Sequence, residues 1–161
     1  MPRVAYVNGR YVPHATAMVH VEDRGYQFAD GVYEVLAVHK GLFLGEKGHL
    51  DRLAHSLAAL SIDWPMERKP LLIVLREVVR RNRVKDGLLY LQITRGVAPR
   101  NHSFPAVCVP SLVVTTVKRP PINKAALLAG VDVISLPDIR CKRCDIKSIS
   151  LLPNVLGKQQ A

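Results

Sequence analysis

Residues 140–150, RCKRCDIKSIS, hold two separate chemistries within a few positions. Cys141 and Cys144 form a CxxC pair, the spacing of a dithiol couple or of half a zinc site. Lys147 follows closely and opens an apolar run that continues through Ile149, Leu151 and Leu152. A zinc site needs a second cysteine pair or two histidines three to five residues apart, and the chain offers neither in a convincing place. His14/His20 and His49/His55 are each split by five residues, with nothing further to support them as ligands. A redox CxxC should follow a strand and open a helix, whereas Lys142, Arg143 and Asp145 place this pair in a charged loop. Lys147 is the more useful group. An amine partly buried behind a strand, without a salt-bridge partner and crowded by Arg140, Lys142 and Arg143, has its neutral form favoured by desolvation and by like charge. A neutral amine is a nucleophile that forms Schiff bases with carbonyls. Standing alone, it would be an ordinary surface lysine.

The rest of the chain must build the elements that hold such an amine. It has 161 residues, 48% of them hydrophobic, enough for a real core in one or two small domains. Its three cysteines are too few and too odd in number for a disulfide framework, and no apolar run reaches the length of a membrane span. The start, MPRVAYVNGRYV, lacks the pattern of a secretory signal, so a soluble, cytoplasmic protein is expected. The net charge of +10 suits polyanions or small phosphate- and carboxylate-bearing ligands without choosing between them. The segment REVVRRNRVK, residues 76–85, would be the nucleic-acid surface if there were one. However, Val78 and Val79 fit a helix core stripe, and no aromatic residue interleaves with Arg76, Arg80, Arg81 and Arg83, so this reads as a solvated helix face.

The order of elements is legible from period and turn chemistry. Asn8-Gly9 between apolar and aromatic residues predicts a β-hairpin, and DGVYEVLAVHKGLFLG predicts a second strand pair turning at Lys40-Gly41. Leu50, Leu53, Leu57 and Leu60 predict a helix from Lys47 that ends before Asp63, with Arg52 and His55 off its apolar face. A second helix is expected over 69–83 on Leu72, Leu75, Val78 and Val79. Strands follow at LLYLQITR and SLVVTTV, with the polar loop GVAPRNHSFP between them. The prolines of KRPPINK mark a connector. Beyond it come a strand at GVDVISL, a loop through the CxxC and a helix beginning near Ser148 or Ser150. The expected architecture is α/β of the α+β type. An N-terminal sheet-plus-helices domain spans 1–117, a connector spans 118–124, and 125–161 begins a second domain. That last piece is shorter than an independent core needs, so the second domain is expected to be incomplete at residue 161.

Four segments, in order along nearly the whole chain, resemble the fold-type IV (class IV) aminotransferases, most of all their bacterial D-amino-acid-specific members. They are EDRGYQFADGVYEV (22–35), HLDRL (49–53), TRGVAPRNHSFP (94–105) and RCDIKSISLLPNVLGKQQA (143–161). By that likeness, Lys147 matches the lysine that holds pyridoxal phosphate as a Schiff base and then moves the proton at the substrate Cα. Arg52 matches the phosphate-binding arginine, where a guanidinium offers charge and paired hydrogen bonds. Tyr33, Arg100 and His102 match the group that binds the substrate α-carboxylate and so fixes which enantiomer presents its Cα hydrogen. Without these motifs, Arg52 would read as a solvated helix residue, Tyr33 as a strand core residue, and Arg100 and His102 as plain loop residues.

The resemblance implies ping-pong transamination of a D-amino acid such as D-alanine with a 2-oxo acid such as 2-oxoglutarate, by a homodimer. A branched-chain L-amino-acid aminotransferase of the same fold is the nearest alternative, and a basic nucleic-acid-binding module is the alternative of another class. The loop pattern Arg100-x-His102 favours the D-specific reading. Glu34 should face away from Tyr33 across its strand, so the sequence gives it no role. Family members continue well past this chain's last residue, and that part supplies the acidic partner of the pyridine nitrogen.

Overall fold

The computed structural model describes residues 3–120, 123–140 and 142–161. Its centre is one six-stranded sheet in the order β2-β1-β6-β5-β3-β4, with every pairing antiparallel. The strands are β1 (Val4–Val7), β2 (Arg10–Pro13), β3 (Gly31–His39), β4 (Leu42–Phe43), β5 (Gly87–Thr94) and β6 (Ser111–Lys118). The helices are α1 (Arg24–Phe28), α2 (Glu46–Ala59), α3 (Arg68–Arg81), α4 (Lys124–Ala129) and α5 (Leu152–Gln160). This is the mixed α and β architecture expected, with helices and an antiparallel sheet rather than alternating parallel units.

Both hairpins follow from their turns. Asn8 (φ 44°) and Gly9 (φ 92°), and again Lys40 (φ 50°) and Gly41 (φ 80°), take the positive φ that a two-residue hairpin turn demands. Alternation along the long strands then sorts the side chains. Val32, Glu34, Leu36 and Val38 of β3 lie in register with Ile93, Leu91, Leu89 and Gly87 of β5, and all are buried on one face. Helix α2 lays Leu50, Leu53 and Leu57 into the same core, and α3 contributes Leu71, Leu75, Val78 and Val79. Burying a leucine of this kind stabilises the fold by roughly 1.5–3 kcal/mol. Leu71 takes the place foreseen for Leu72, which is half-buried, because Leu71, Leu75 and Val78 make the continuous i, i+4, i+7 row.

The strand expected at GVDVISL does not form. Residues 131–140 run as irregular backbone after α4, with Val131 87% and Val133 83% exposed. The alternating pattern supplies a strand's side chains, but no ladder pairs this stretch with another strand among the described residues. The last helix begins at Leu152, slightly later than expected. No helix among the described residues is long and apolar enough to cross a membrane.

Candidate functional site

The open end of β3 positions Lys147. Strand β4 covers β3 only at Val38 and His39, so at Gly31–Tyr33 one edge of β3 is free for another segment. Residues 147–149 fill it: Tyr33 N donates to Lys147 O at 3.0 Å, Ile149 N donates to Gly31 O at 3.2 Å, and Val32 and Ser148 bridge antiparallel. Ser56, buried on α2, accepts a hydrogen bond from Lys147 N at 3.1 Å and fixes the segment from the helix side. The amine then lies over the Tyr33 ring, 4.1 Å from its centroid, and Tyr33 is stacked on Tyr90 at 5.7 Å. Gly31 permits the close approach, since a Cβ there would sit 2.7 Å from Ile93 O and 3.1 Å from Ile149 Cδ1. Gly31→Ala is accordingly expected to loosen the 147–149 segment from β3 and lower thermal stability by on the order of 1–3 kcal/mol. Amide exchange at Tyr33 and Ile149 should rise well above that of mid-strand Leu36; unchanged exchange at both would refute this account.

Two of the three charges crowded around Lys147 in the sequence are spent elsewhere. Arg140 pairs with Asp138 at 2.7 Å and Arg143 with Asp145 at 2.9 Å. Cys141 lies outside the described residues, and Cys144 is exposed. Among the described residues, no group of three or more His, Cys, Asp or Glu side chains is placed to hold a metal ion. In the basic segment, Arg76 pairs with Glu46, and Arg80 and Arg81 converge on Glu77.

Arg52 lies one turn before Ser56 on α2 and reaches the start of β3 through Glu34, the residue after Tyr33. Its Nε and Nη2 each donate to Glu34 at 2.7 Å. Glu34 does face away from Tyr33, as strand alternation requires, but that face is the one α2 covers. Its carboxylate is 0% exposed and also meets His49 Nδ1 at 2.8 Å. Burial alone would raise the Glu34 carboxyl, but the hydrogen bonds from Arg52 and His49 outweigh it and hold the group below the ordinary carboxylate range. The pairing in turn raises Arg52 above its ordinary value. A side-on grip through Nε and Nη2 leaves Nη1, on a side chain 49% exposed, without a protein partner among the described residues. Sequence reasoning missed Glu34 and Ser56. The signal for both was a polar residue at a core position of a strand or helix that had otherwise been read correctly.

Arg100 and His102 belong to a second assembly. The loop 95–110 is held by two buried arginines that share Asp30: Arg24 Nε at 2.8 Å, and Arg95 through Nε at 2.8 Å and Nη2 at 3.1 Å. Arg24 donates onward to Asn101 O at 2.6 Å and His102 O at 3.4 Å. Asp23 caps α1 by accepting from Gly25 N at 2.8 Å and from Thr94 Oγ1 at 3.0 Å. Arg100 then lies 4.8 Å over the Phe28 ring, and the His102 ring meets Phe28 edge-on at 5.3 Å. The structure therefore gathers Lys147, Tyr33 and Arg52 around the start of β3 and gathers Arg100 and His102 around Phe28. Among the described residues, no hydrogen bond or ring contact joins the two groups.

Comparison with known proteins decides the family. The class IV amino-transferase pattern matches residues 31–161. The chain belongs to the class IV aminotransferases. A D-alanine aminotransferase of Bacillus licheniformis is 43% identical over 156 residues, which are 96% of this chain and 54% of that protein. One from Staphylococcus haemolyticus is 38% identical over 156 residues, 97% of this chain and 55% of that protein. This class IV chain thus spans about half the length of the curated relatives it matches. Among solved structures, 4-amino-4-deoxychorismate lyase from Pseudomonas aeruginosa superposes with a TM-score of 0.74 at 24% identity, covering 98% of this chain and 56% of that one. The T.th. branched-chain amino acid aminotransferase, solved with pyridoxamine 5'-phosphate, gives 0.71 at 18% identity over 78% of this chain and 43% of that one. Those two likenesses establish the class IV fold.

The donor set present fits a phosphorylated aldehyde. Lys147 Nζ has an aromatic face beneath it and no hydrogen bond or ion pair among the described residues, and Arg52 keeps Nη1 for an anion.

Proposed function

We propose that this chain is the N-terminal portion of a pyridoxal-phosphate-dependent D-amino-acid aminotransferase, exchanging an amino acid such as D-alanine with a 2-oxo acid such as 2-oxoglutarate. The observation that carries the reading is the Lys147 amine held 4.1 Å over Tyr33 and linked through Ser56 to the helix that presents Arg52. The 43% identity to a D-alanine aminotransferase supports the substrate class. In this reading, residues 1–117 form the N-terminal unit, 118–124 the connector, and 125–161 the start of the cofactor-binding domain. The homodimer implied by the family likeness is part of it. The exposed Phe104, Val107 and Val109 of the loop offer a surface that a second copy would cover.

Pyridoxal phosphate, when bound, supplies the electron sink that makes the Cα hydrogen acidic. The chain's own residues do the rest. Lys147 is the covalent anchor and then the base that holds the Cα proton at Nζ. Arg52 Nη1 takes the phosphate, with Glu34 and His49 fixing the guanidinium from behind. Tyr33 directs its hydroxyl at the substrate, and Arg100 and His102 hold the α-carboxylate, so that only one enantiomer presents its hydrogen to the amine.

The test is to supply D-alanine and L-leucine separately with 2-oxoglutarate and measure keto-acid release. Turnover of D-alanine at least tenfold faster is the expected result. Equal turnover of L-leucine would refute the D-specific assignment of Arg100 and His102, and salt-sensitive binding to nucleic acid without cofactor uptake would refute the enzyme.

A further inference from the structure

Phe28 has no role in the functional reading above, and three charged or titratable side chains meet on it. The Arg24 guanidinium carbon lies 4.9 Å from the ring centroid, Arg100 lies 4.8 Å away, and His102 makes an edge contact at 5.3 Å. These three residues differ in how they are tied down. Arg24 is buried, and its hydrogen bonds run to Asp30 and to the carbonyls of Asn101, His102 and Ser103. Arg100 and His102 are exposed, and neither side chain has a hydrogen bond or ion pair among the described residues. Their contact with Phe28 is what defines where the two side chains point.

A guanidinium over an aromatic face is held by the ring quadrupole while its N–H edge stays free, because the stacking uses the face and leaves the in-plane donors for a ligand. The His102 ring meets Phe28 at an interplanar angle of 64°, and among the described residues no hydrogen bond occupies its ring nitrogens. Arg24 sets the backbone height of 101–103, so it determines where along the ring the two side chains land. Phe28 is the last residue of α1, and Ala29 after it is left-handed with φ 56°, which turns the chain directly into Asp30 and β3. The platform is therefore anchored to the strand that carries Tyr33.

We infer that Phe28 is a positioning residue for the substrate α-carboxylate, orienting Arg100 and His102 from below. The inference rests on the assignment of those two residues to the carboxylate. It separates Phe28 from ordinary core packing because the effect should fall on carboxylate-bearing ligands alone.

Phe28→Leu in the full chain, as a cofactor-loaded enzyme, keeps an apolar side chain of similar reach and removes the ring face. The KM for D-alanine should rise about three- to fivefold, as the loss of one cation–π contact at an exposed site allows, while kcat stays within about twofold. Binding of propionate, a carboxylate without an amine, should weaken by the same factor when followed by intrinsic fluorescence. Turnover of isopropylamine, which has no carboxylate, should not change. Phe28→Tyr restores the face and should return the KM to near the wild-type value. An unchanged KM and propionate affinity in Phe28→Leu overturns the proposal, as does a parallel loss with isopropylamine or an equal loss in Phe28→Tyr. If Arg100→Ala leaves propionate binding intact, the carboxylate assignment itself fails, and the role of Phe28 fails with it for that separate reason.

Discussion

Lys147→Ala is expected to abolish transamination while leaving the fold intact. The two halves of that expectation come from different atoms of the same residue. The segment is held through its backbone, by Tyr33 N to Lys147 O and by Lys147 N to Ser56 Oγ, and alanine keeps both bonds. Among the described residues, the polar end of the side chain engages the protein through the Tyr33 ring beneath it. Removing that costs about 0.5–1 kcal/mol at a partly exposed site, so the melting temperature should fall by no more than about 2–4 °C. Activity is another matter. A positioned proton-transfer group contributes about 10²–10⁴-fold, and in the proposed function this residue is also the covalent anchor, so kcat should fall by on the order of 10⁴-fold or more. The absorbance of the lysine-linked cofactor should disappear, and a small added amine such as methylamine should recover part of the rate. Lys147→Arg keeps a cation over Tyr33 but cannot form the link, and it should be equally inactive. A Lys147→Ala enzyme that keeps a tenth of its rate would end the assignment.

The elements around the candidate site were legible in the sequence to the extent that their residues carry short-range signals. Asn8-Gly9 and Lys40-Gly41 announce hairpins because few other dipeptides tolerate the required φ, and the leucine spacing of α2 announces the face that carries Arg52 outward. What stayed hidden depends on contacts between residues distant in the chain. Glu34 looked idle because alternation sends it away from Tyr33, yet the same alternation drives it beneath α2, where a bare carboxylate would be costly. Only the register that places His49 and Arg52 above it explains why an acid is tolerated there. Ser56 was hidden for the same reason, since its partner is ninety-one residues away. GVDVISL misled in the opposite sense: its alternation was real, but a strand exists only where a neighbour pairs with it. Arg140 and Arg143 near Lys147 also looked unbalanced in one dimension and are locally paired in three.

Asp30→Asn should be the most destabilising conservative substitution at the sheet's active edge. Arg24 and Arg95 are 3% and 7% exposed, and both meet the carboxylate of Asp30, which is 10% exposed. Burial by itself would raise the Asp30 carboxyl, but hydrogen bonds from Arg95 and Arg24 outweigh it and hold the group below its ordinary value. An asparagine fills the same space without the charge and leaves two guanidinium groups buried beside a neutral amide. Breaking a buried pair in this way costs about 3–5 kcal/mol, which for a chain of this size lowers the melting temperature by on the order of 10 °C. A drop of less than about 2 °C would show that the arginines find compensation elsewhere. The effect should persist in high salt, since buried charges are little screened.

The pH dependence has a definite sign. A carboxyl whose folded value is depressed contributes stability that is present above its ordinary value of about 4 and is lost as pH falls through the folded value. Asp30→Asn should therefore flatten the acid limb of the stability curve, leaving the part due to Glu34, depressed in the same way, and to the ion-paired surface carboxylates such as Glu77. Function should follow stability through Arg24. Released from Asp30, its guanidinium no longer fixes the carbonyls of Asn101 and His102, and the loop that carries Arg100 and His102, the proposed carboxylate ligands, loses its footing. The KM for D-alanine should then rise even at temperatures where the variant is fully folded, as initial rates over a range of D-alanine concentrations would show.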